Sequence, residues 1–558
     1  MQKKQTILVV ASLLVVVLSV TLAYFTAQII GKGKNVTINS ADLKIIFTDS
    51  DGSISGTNIE PGKWNVTKTF TIENKSNETY KYNIVIQDLV NTFVTEGYLQ
   101  YKITSTNGGY NMTEFKDVPK SETATDKILA YSVSIPVGVT QSYTVEFIYK
   151  NDESVDQSDD MGKTLSGKLF ITEGTEGPVI LLSQILKDNP TRSARSNNNN
   201  GKNDFATPLT TTTTGTLFTS TESIVGNTPK DVYYFAGDAK NNWVKFGKYQ
   251  NDLIRYRGYY SATSTTDYNE YSTMDECTSA SSYNINCTEY KYANTGDDIY
   301  WRIIRTNHDG SIRLLYVGTS HDTTTGNIGT STFNTNSNSP KYVGYKYGEA
   351  TSYDTIRNNT TDSTIKAFID SWYQNNLTDY TKYLSTSAVY CNDRNEGTDQ
   401  TYSVSSSFNF ASYYRMDDAT KGAKANPSYN CTDIRDAFSV DNTSAKLDYP
   451  VSLMTADEIA FAGGVSLQKM NTPYAWFISN SAGTQVSTGW WSLSPSYWGF
   501  GYAGVCGWSS GRASLFNNGV GSTNAVRPAI SLKSCIKYST GDGSATNPYT
   551  ILETDTGC

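Results

Sequence analysis

The sequence predicts a mainly β, multidomain protein: an N-terminal β-sandwich of jelly-roll type, then a C-terminal α+β domain. Three observations lead to that class. The composition holds 40 tyrosines and 42 glycines against 14 prolines, with Thr, Ser and Asn abundant, which favours strands and turns over helices. Apolar residues of the first third recur at period two. A polar tract near residue 200 interrupts that pattern, and 558 residues exceed what one core accommodates. Charge adds an exclusion. Charged residues make up 18%, the net charge is −8 and the pI is near 5.1, so no basic field is present to hold nucleic acid.

Residues 1–27 come first. Met1-Gln2-Lys3-Lys4 is a short basic start, and Ile7–Phe25 is an uncharged apolar run. Its length is close to the ~20 residues that cross a bilayer, so a signal peptide and a membrane anchor both fit, with Thr21-Leu22-Ala23 as a cleavage site. Export and attachment to the membrane through this end are the expectation.

Residues 28–176 form the expected sandwich. Phe70, Ile72, Tyr80, Tyr82, Ile84, Ile86 and Leu89 fall at or near alternate positions. Tyr98–Thr104, Ile128–Ile135, Gln141–Tyr149 and Gly167–Thr172 continue the series between Gly, Asn, Asp and Pro turns. Asp49-Ser50-Asp51-Gly52-Ser53 lacks the further ligands of a calcium loop and reads as an Asp-Gly turn. Ala23-Tyr24-Phe25-Thr26, the segment Asn35–Ile45, Ile59-Glu60-Pro61-Gly62-Lys63 and Lys68–Ser76 resemble camelysin-like proteins and bacterial biofilm-fibre subunits, over roughly Leu22 to Thr172. One alternative that goes with this resemblance is self-assembly of the sandwich into a fibre, by strand addition near Ala27–Ile45. Some relatives carry a metalloprotease label, but this stretch has no histidine to bind zinc, so that activity is not carried over.

Residues 177–216 read as a short helix and a linker. Val179–Leu186 is amphipathic, and from Asn189 the chain turns polar through Arg192, Arg195, Asn197–Asn200 and Thr210–Thr214. Such a tract buries no core of its own and is expected to be disordered.

Residues 217–558 form the expected α+β domain. Tyr300–Thr306 and Ser311–Tyr316 flank an Asn307-His308-Asp309-Gly310 turn. Ser363–Asn375 places Ile365, Phe368, Ile369, Trp372 and Tyr373 on one helical stripe. Thr455 and Glu458 make a capping box for a helix that Gly463 stops. All seven cysteines lie at or beyond Cys277, and pairing by proximity joins Cys277 with Cys287, Cys391 with Cys431 and Cys535 with Cys558. Cys506 is left over, and with no C-x-x-C a zinc site is not expected. Only two histidines occur: His308 is placed at a solvated turn tip, and His321 in a loop without a nucleophile to activate. Asp457, Glu458 and Cys506 are the candidates for chemistry, with capping and the helix dipole as the competing account of the two acids. No cofactor or metal is expected.

The densest feature is Gly489–Leu532. Trp490-Trp491-Ser492-Leu493-Ser494-Pro495 and Val526-Arg527-Pro528 bracket a span rich in Gly, Ser, Asn and aromatic residues. A loop system of that composition presents rigid contact area beside adaptable polar groups. Trp491, Tyr497, Trp498, Phe500, Tyr502, Trp508, Asn517 and Asn518 are the candidate ligand-binding residues. Together with Tyr233-Tyr234-Phe235 and Trp301–Arg305, these motifs resemble a bacterial surface module similar to the C-type-lectin and formylglycine-generating-enzyme-like fold, over roughly Leu217 to Pro548. The lectin calcium tripeptides Glu-Pro-Asn and Gln-Pro-Asp are missing, and Cys506 lacks the close partner of the oxidase. The expectation is an adhesin-like surface head binding an extracellular glycan or protein, on the outer face of the bacterial membrane or secreted. A biofilm-fibre subunit and a surface enzyme are the alternatives.

Overall fold

The computed structural model describes residues 36–38, 41–47, 52–56, 59–95, 97–174, 177–196, 203–261, 268–280, 286–416, 426–472, 474–486, 488–554 and 557–558. The N-terminal basic and apolar segment lies outside them, as do most of the Asp49–Ser53 turn and the first part of the Ala27–Ile45 assembly segment. The protein is mainly β in several sheets, and it divides into two units, Met1–Gly177 and Pro178–Cys558.

The first unit holds two antiparallel sheets. One runs in the order Val36–Ile38, Ala41–Phe47, Asn65–Asn74, Thr140–Tyr149, Leu99–Ser105, Lys116–Asp117. The other runs Ser53–Gly56, Leu165–Glu173, Tyr80–Asn91, Ser121–Ile135. Side chains of both meet in one core: Phe70, Ile72, Val145 and Phe147 from the first, Ile84, Ile86, Leu169 and Ile171 from the second. Alternation sets this up, because every second residue of Thr140–Tyr149 from Gln141 on is buried. Phe70 and Tyr143 are directly opposite in register and their rings stack at 5.0 Å.

The second unit is built on an eleven-stranded mixed sheet. Asp298–Thr306 lies at its centre, bonded to Trp243–Lys248 on one side and Ile312–Gly318 on the other. Ile312–Gly318 pairs with Pro528–Leu532, which pairs with Val451–Leu453. The expected hairpin is present, with Gly310 at φ 79° and Asn307 N–H donating to Ser311 O at 2.9 Å. Both expected helices form. Thr364–Asn376 buries Ile365, Ile369, Trp372 and Tyr373, and Ala456–Ala462 carries the Thr455–Glu458 capping box and stops at Gly463. The three disulfides join Cys277–Cys287, Cys391–Cys431 and Cys535–Cys558, bonds that persist in an oxidising compartment.

Two expectations are corrected. The helix Leu181–Asp188 exists, and the described parts of the tract after it are ordered, while residues 197–202 of the expected linker lie outside the described residues. Thr191–Ala194 pairs in parallel with Thr216–Glu222, and Thr212–Thr213 pairs with Asp238–Ala239. Arg195 donates to Phe461 O at 2.7 Å and lies over the ring of Phe205, itself buried. Backbone pairing asks nothing of side-chain polarity, so a polar tract joins sheet edges that its own unit supplies. The second correction concerns residues 496–524. These are no loop system but strands Trp490–Gly499, Tyr502–Ser509 and Ser514–Gly519 of a six-stranded sheet.

Candidate functional site: a hairpin tip above a tryptophan core

Most of the aromatic stretch faces inward. Trp491 has no exposed surface; its Nε1 donates to Ser331 O at 2.8 Å and its ring meets the edge of Phe333. Trp490 and Trp508 both pack on Phe477, and Trp498 is buried on the strand beside Phe408. The ligand-binding assignment of Trp491, Trp498 and Trp508 is therefore corrected to a core role. Glycine explains how such bulk fits. A Cβ on Gly504 would lie 2.3 Å from the Tyr497 ring, and one on Gly507 would lie 2.9 Å from Trp490 O. The glycines that suggest a loop by composition are spacers beneath rings and backbone in a sheet.

Asn517 is half-buried and borders the open groove beside Tyr497 and Tyr502, with its carbonyl oxygen engaged inward. Its Oδ1 accepts from Ser496 Oγ at 2.6 Å and lies 3.4 Å from the buried Cys506 Sγ.

What remains open is the turn. Gly499 pairs with Tyr502 across a two-residue connection in which Phe500 has φ 54° and Gly501 φ 81°, the signs of a type I′ hairpin. Phe500 is 93% exposed and Tyr502 39%. The Tyr497 and Tyr502 rings meet edge-to-face at 5.7 Å. They border an open groove of about 550 Å³ with Ser337, Phe516, Asn518 and Gly519. Every residue lining it is neutral, and burial, with the Tyr502 hydrogen bond, pushes the Tyr497 phenol up, so it stays protonated.

The candidates for chemistry are held by structure. Glu458 is 1% exposed and accepts from Arg305 Nε at 2.8 Å, Arg313 Nη1 at 2.6 Å and Thr455 N–H at 2.9 Å. Glu222 shares Arg305 at 2.9 Å. Burial alone would raise the Glu222 carboxyl, but the Arg305 charge, hydrogen bonds from His308 and Arg305, and the Arg313 charge together outweigh it and bring it to about 2. Asp457 accepts from Arg415 at 2.8 and 3.0 Å and from Ser428 N–H at 2.9 Å. The space among these groups, about 20 Å³, holds about one water and no substrate. Asp362, Asp370 and Asp448 also converge, but on Lys366 Nζ at 3.1, 2.5 and 2.5 Å, so a lysine is their cation.

Sequence reasoning missed two placements. His308 does not stand free at its turn: its backbone N–H donates to the buried Glu222 at 2.5 Å. His321 does meet a hydroxyl, since Nδ1 lies 2.8 Å from Ser481 Oγ, 160 residues on. That same Nδ1 is 3.1 Å from Asp322, so one nitrogen serves both partners and the relay of a hydrolase is not assembled.

The signature motifs also point inward. Arg302 donates to Asn242 Oδ1 at 2.6 Å and Ala239 O at 2.7 Å, under the ring of Trp243. Arg527 of Val-Arg-Pro donates to Tyr316 O at 3.1 Å and to Phe477 O, beside Trp490. Burial brings both guanidiniums down to about 9, only partly offset at Arg302 by the Asp238 charge, and both stay charged at neutral pH.

No protein-family description matches the chain, and no curated protein does. Among solved structures, AvmM, which catalyzes macrocyclization in alchivemycin A biosynthesis, aligns with a TM-score of 0.13 at 11% identity, covering 23% of this chain and 92% of its own. A chaperone–tip adhesin complex of CFA/I fimbriae aligns with a TM-score of 0.08 at 8% identity, covering 45% of this chain and 90% of its own. Similarities this low carry no argument about fold or function. Among the described residues no helix is long and apolar enough to cross a membrane.

Proposed function

We propose that the chain is an exported bacterial surface protein whose second unit is a recognition head, binding an extracellular glycan or protein through the Phe500 hairpin tip and the groove beside it. The observation that carries this reading is Phe500. A bulky residue in the left-handed region costs roughly 1–2 kcal/mol, and an exposed phenylalanine forgoes about 1.5–3 kcal/mol of burial. A position bearing both costs is one where function outweighs stability. The tyrosines, Asn518 and serines beside it supply the polar contacts of a paratope-like surface, and the absence of charge in the groove suits a neutral partner.

On this reading the N-terminal segment exports or tethers the chain. The first unit is a camelysin-like stalk, and the second a lectin-like head without calcium chemistry. The disulfides agree with an extracellular location. The full chain, applied to glycan and protein arrays, is expected to bind a restricted set of ligands. Phe500→Ala with Tyr502→Ala should weaken that binding at least tenfold, at unchanged thermal stability. A blank array, or binding indifferent to both substitutions, would sink the reading. Trp498→Ala is no test, because it hollows the core.

A further inference from the structure

A second cavity of the head is built from different strands. It measures about 460 Å³, within the ~300–1,000 Å³ of small-molecule sites. Arg255 and Glu270 line it, from the three-stranded sheet of Leu253–Tyr259, Tyr268–Tyr271 and Asn286–Ala293. We propose that this cavity binds a neutral saccharide unit, a site distinct from the Phe500 tip.

The lining sets the ligand's chemistry. It consists of tyrosines, asparagines, five threonines, one glycine and a single Arg–Glu pair, with no aliphatic side chain. Its apolar surface therefore comes from tyrosine rings and threonine methyls set among hydroxyls and amides, rather than from the continuous aliphatic wall that suits a lipid tail. Hydroxyls and amides match a polyol, and tyrosines offer flat surface to the C–H face of a sugar ring. The charges exclude a salt-like ligand, because Arg255 is matched within the site: its Nη1 lies 3.3 Å from Glu270, and its guanidinium stacks 3.6 Å over Tyr292.

The site is also preorganised. Arg255 is 2% exposed, donates to Asn327 O and keeps its Nε without a partner among the described residues. Glu270 is fixed by Tyr290 Oη at 2.5 Å and Arg257 Nε at 3.6 Å. A carboxylate and a guanidinium locked side by side give an acceptor and a donor in fixed register, which suits adjacent hydroxyls on a ring. Beside the sheet, the helix Met274–Ser279 is stapled to the strand Asn286–Ala293 by Cys277–Cys287.

Saturation-transfer NMR on the full chain tests this with glucose, galactose, mannose and N-acetylglucosamine, and with glycerol as the small-polyol control. At least one hexose is expected to receive saturation where glycerol does not. Glu270→Gln keeps the side-chain size but removes the charge partner of Arg255, and should weaken binding at least tenfold. Should that variant misfold, Thr488→Trp adds bulk at an exposed lining position and should abolish binding. The proposal is overturned if none of the four sugars binds, or if binding survives Thr488→Trp. Binding lost in Phe500→Ala but kept in Thr488→Trp would likewise overturn it, moving the sugar to the tip.

Discussion

The two units solve the same problem, enclosing a β core, by different means. Among the described residues, the first unit buries one charged side chain, Asp160, and has no disulfide. The second buries seven arginines and a lysine, most of them against carboxylates, and carries all three disulfides. One is held mainly by apolar alternation. The other depends on buried charge that must stay paired, since a buried ion left alone is far costlier than the pair is stabilising.

The sharpest way to break that contrast is to strand a charge. Glu458→Ala leaves Arg305 and Arg313 facing one carboxylate, Glu222, and removes half of the capping box. The expected loss is ~3–5 kcal/mol of second-unit stability. Eight of the nine tryptophans lie beyond residue 178, so tryptophan fluorescence during urea unfolding reports this unit almost alone. A loss under ~1 kcal/mol would show that the network is solvated rather than structural.

Reduction comes next. Opening Cys391–Cys431, which closes 40 residues, should cost about 2–4 kcal/mol. Amide exchange should rise in the second unit and stay unchanged in residues 59–174.

Acid distinguishes the units by sign and extent. Glu222 is held at about 2, below its ordinary 4.5, so its stabilisation is complete above pH 4.5 and is lost as pH falls toward 2. Glu458 is lowered as well: burial opposes, and Arg313 and Arg305 prevail. In the first unit Asp160 follows the same direction, with burial opposing and hydrogen bonds from Thr95 and Val94 prevailing. Asp370 runs the other way. Burial raises it to about 6, so its term favours the fold below pH 3.8 and fades as pH rises through 6. The second unit should therefore show the steeper net loss between pH 4.5 and 2 in a fluorescence-monitored titration. Equal acid midpoints for the two units would contradict this.

The first unit's own polar feature is milder. Tyr82 Oη lies 2.5 Å from both Gln141 Oε1 and Tyr143 Oη in the core. Tyr82→Phe removes those bonds and should cost about 1–2 kcal/mol, read as faster amide exchange in Tyr80–Asn91.

The same contrast decides what the sequence makes legible. Phe70, Ile72 and the alternation of Gln141–Tyr149 mark the first unit, because period two is a local property. Caps are local too, and Thr455 with Glu458 is read correctly. The partners of Glu458 lie 145 and 153 residues away, and no local pattern announces them. Trp491, Trp498 and Trp508 mislead for a related reason. Gly504 and Gly507 read as loop residues until the neighbouring strand shows that the Tyr497 ring and the Trp490 backbone occupy the space above them. Phe500 and Tyr502 are named among the candidates but not separated from the buried tryptophans. That separation needs the hairpin register.

Phe500 gives the smallest stability effect and the most informative one. At φ 54° a glycine relieves the clash that an L-side chain suffers there. The glycine also frees the unfolded chain, which offsets roughly 0.4–1 kcal/mol of the gain. Phe500→Gly should therefore leave the second unit's stability unchanged or raise it by about 1 kcal/mol, measured by urea unfolding. Loss of ligand on the array at that undiminished stability is what a strained contact residue predicts. If the substitution instead destabilises the unit by more than ~1 kcal/mol, the ring is packing against something, and its exposure is not that of a free anchor.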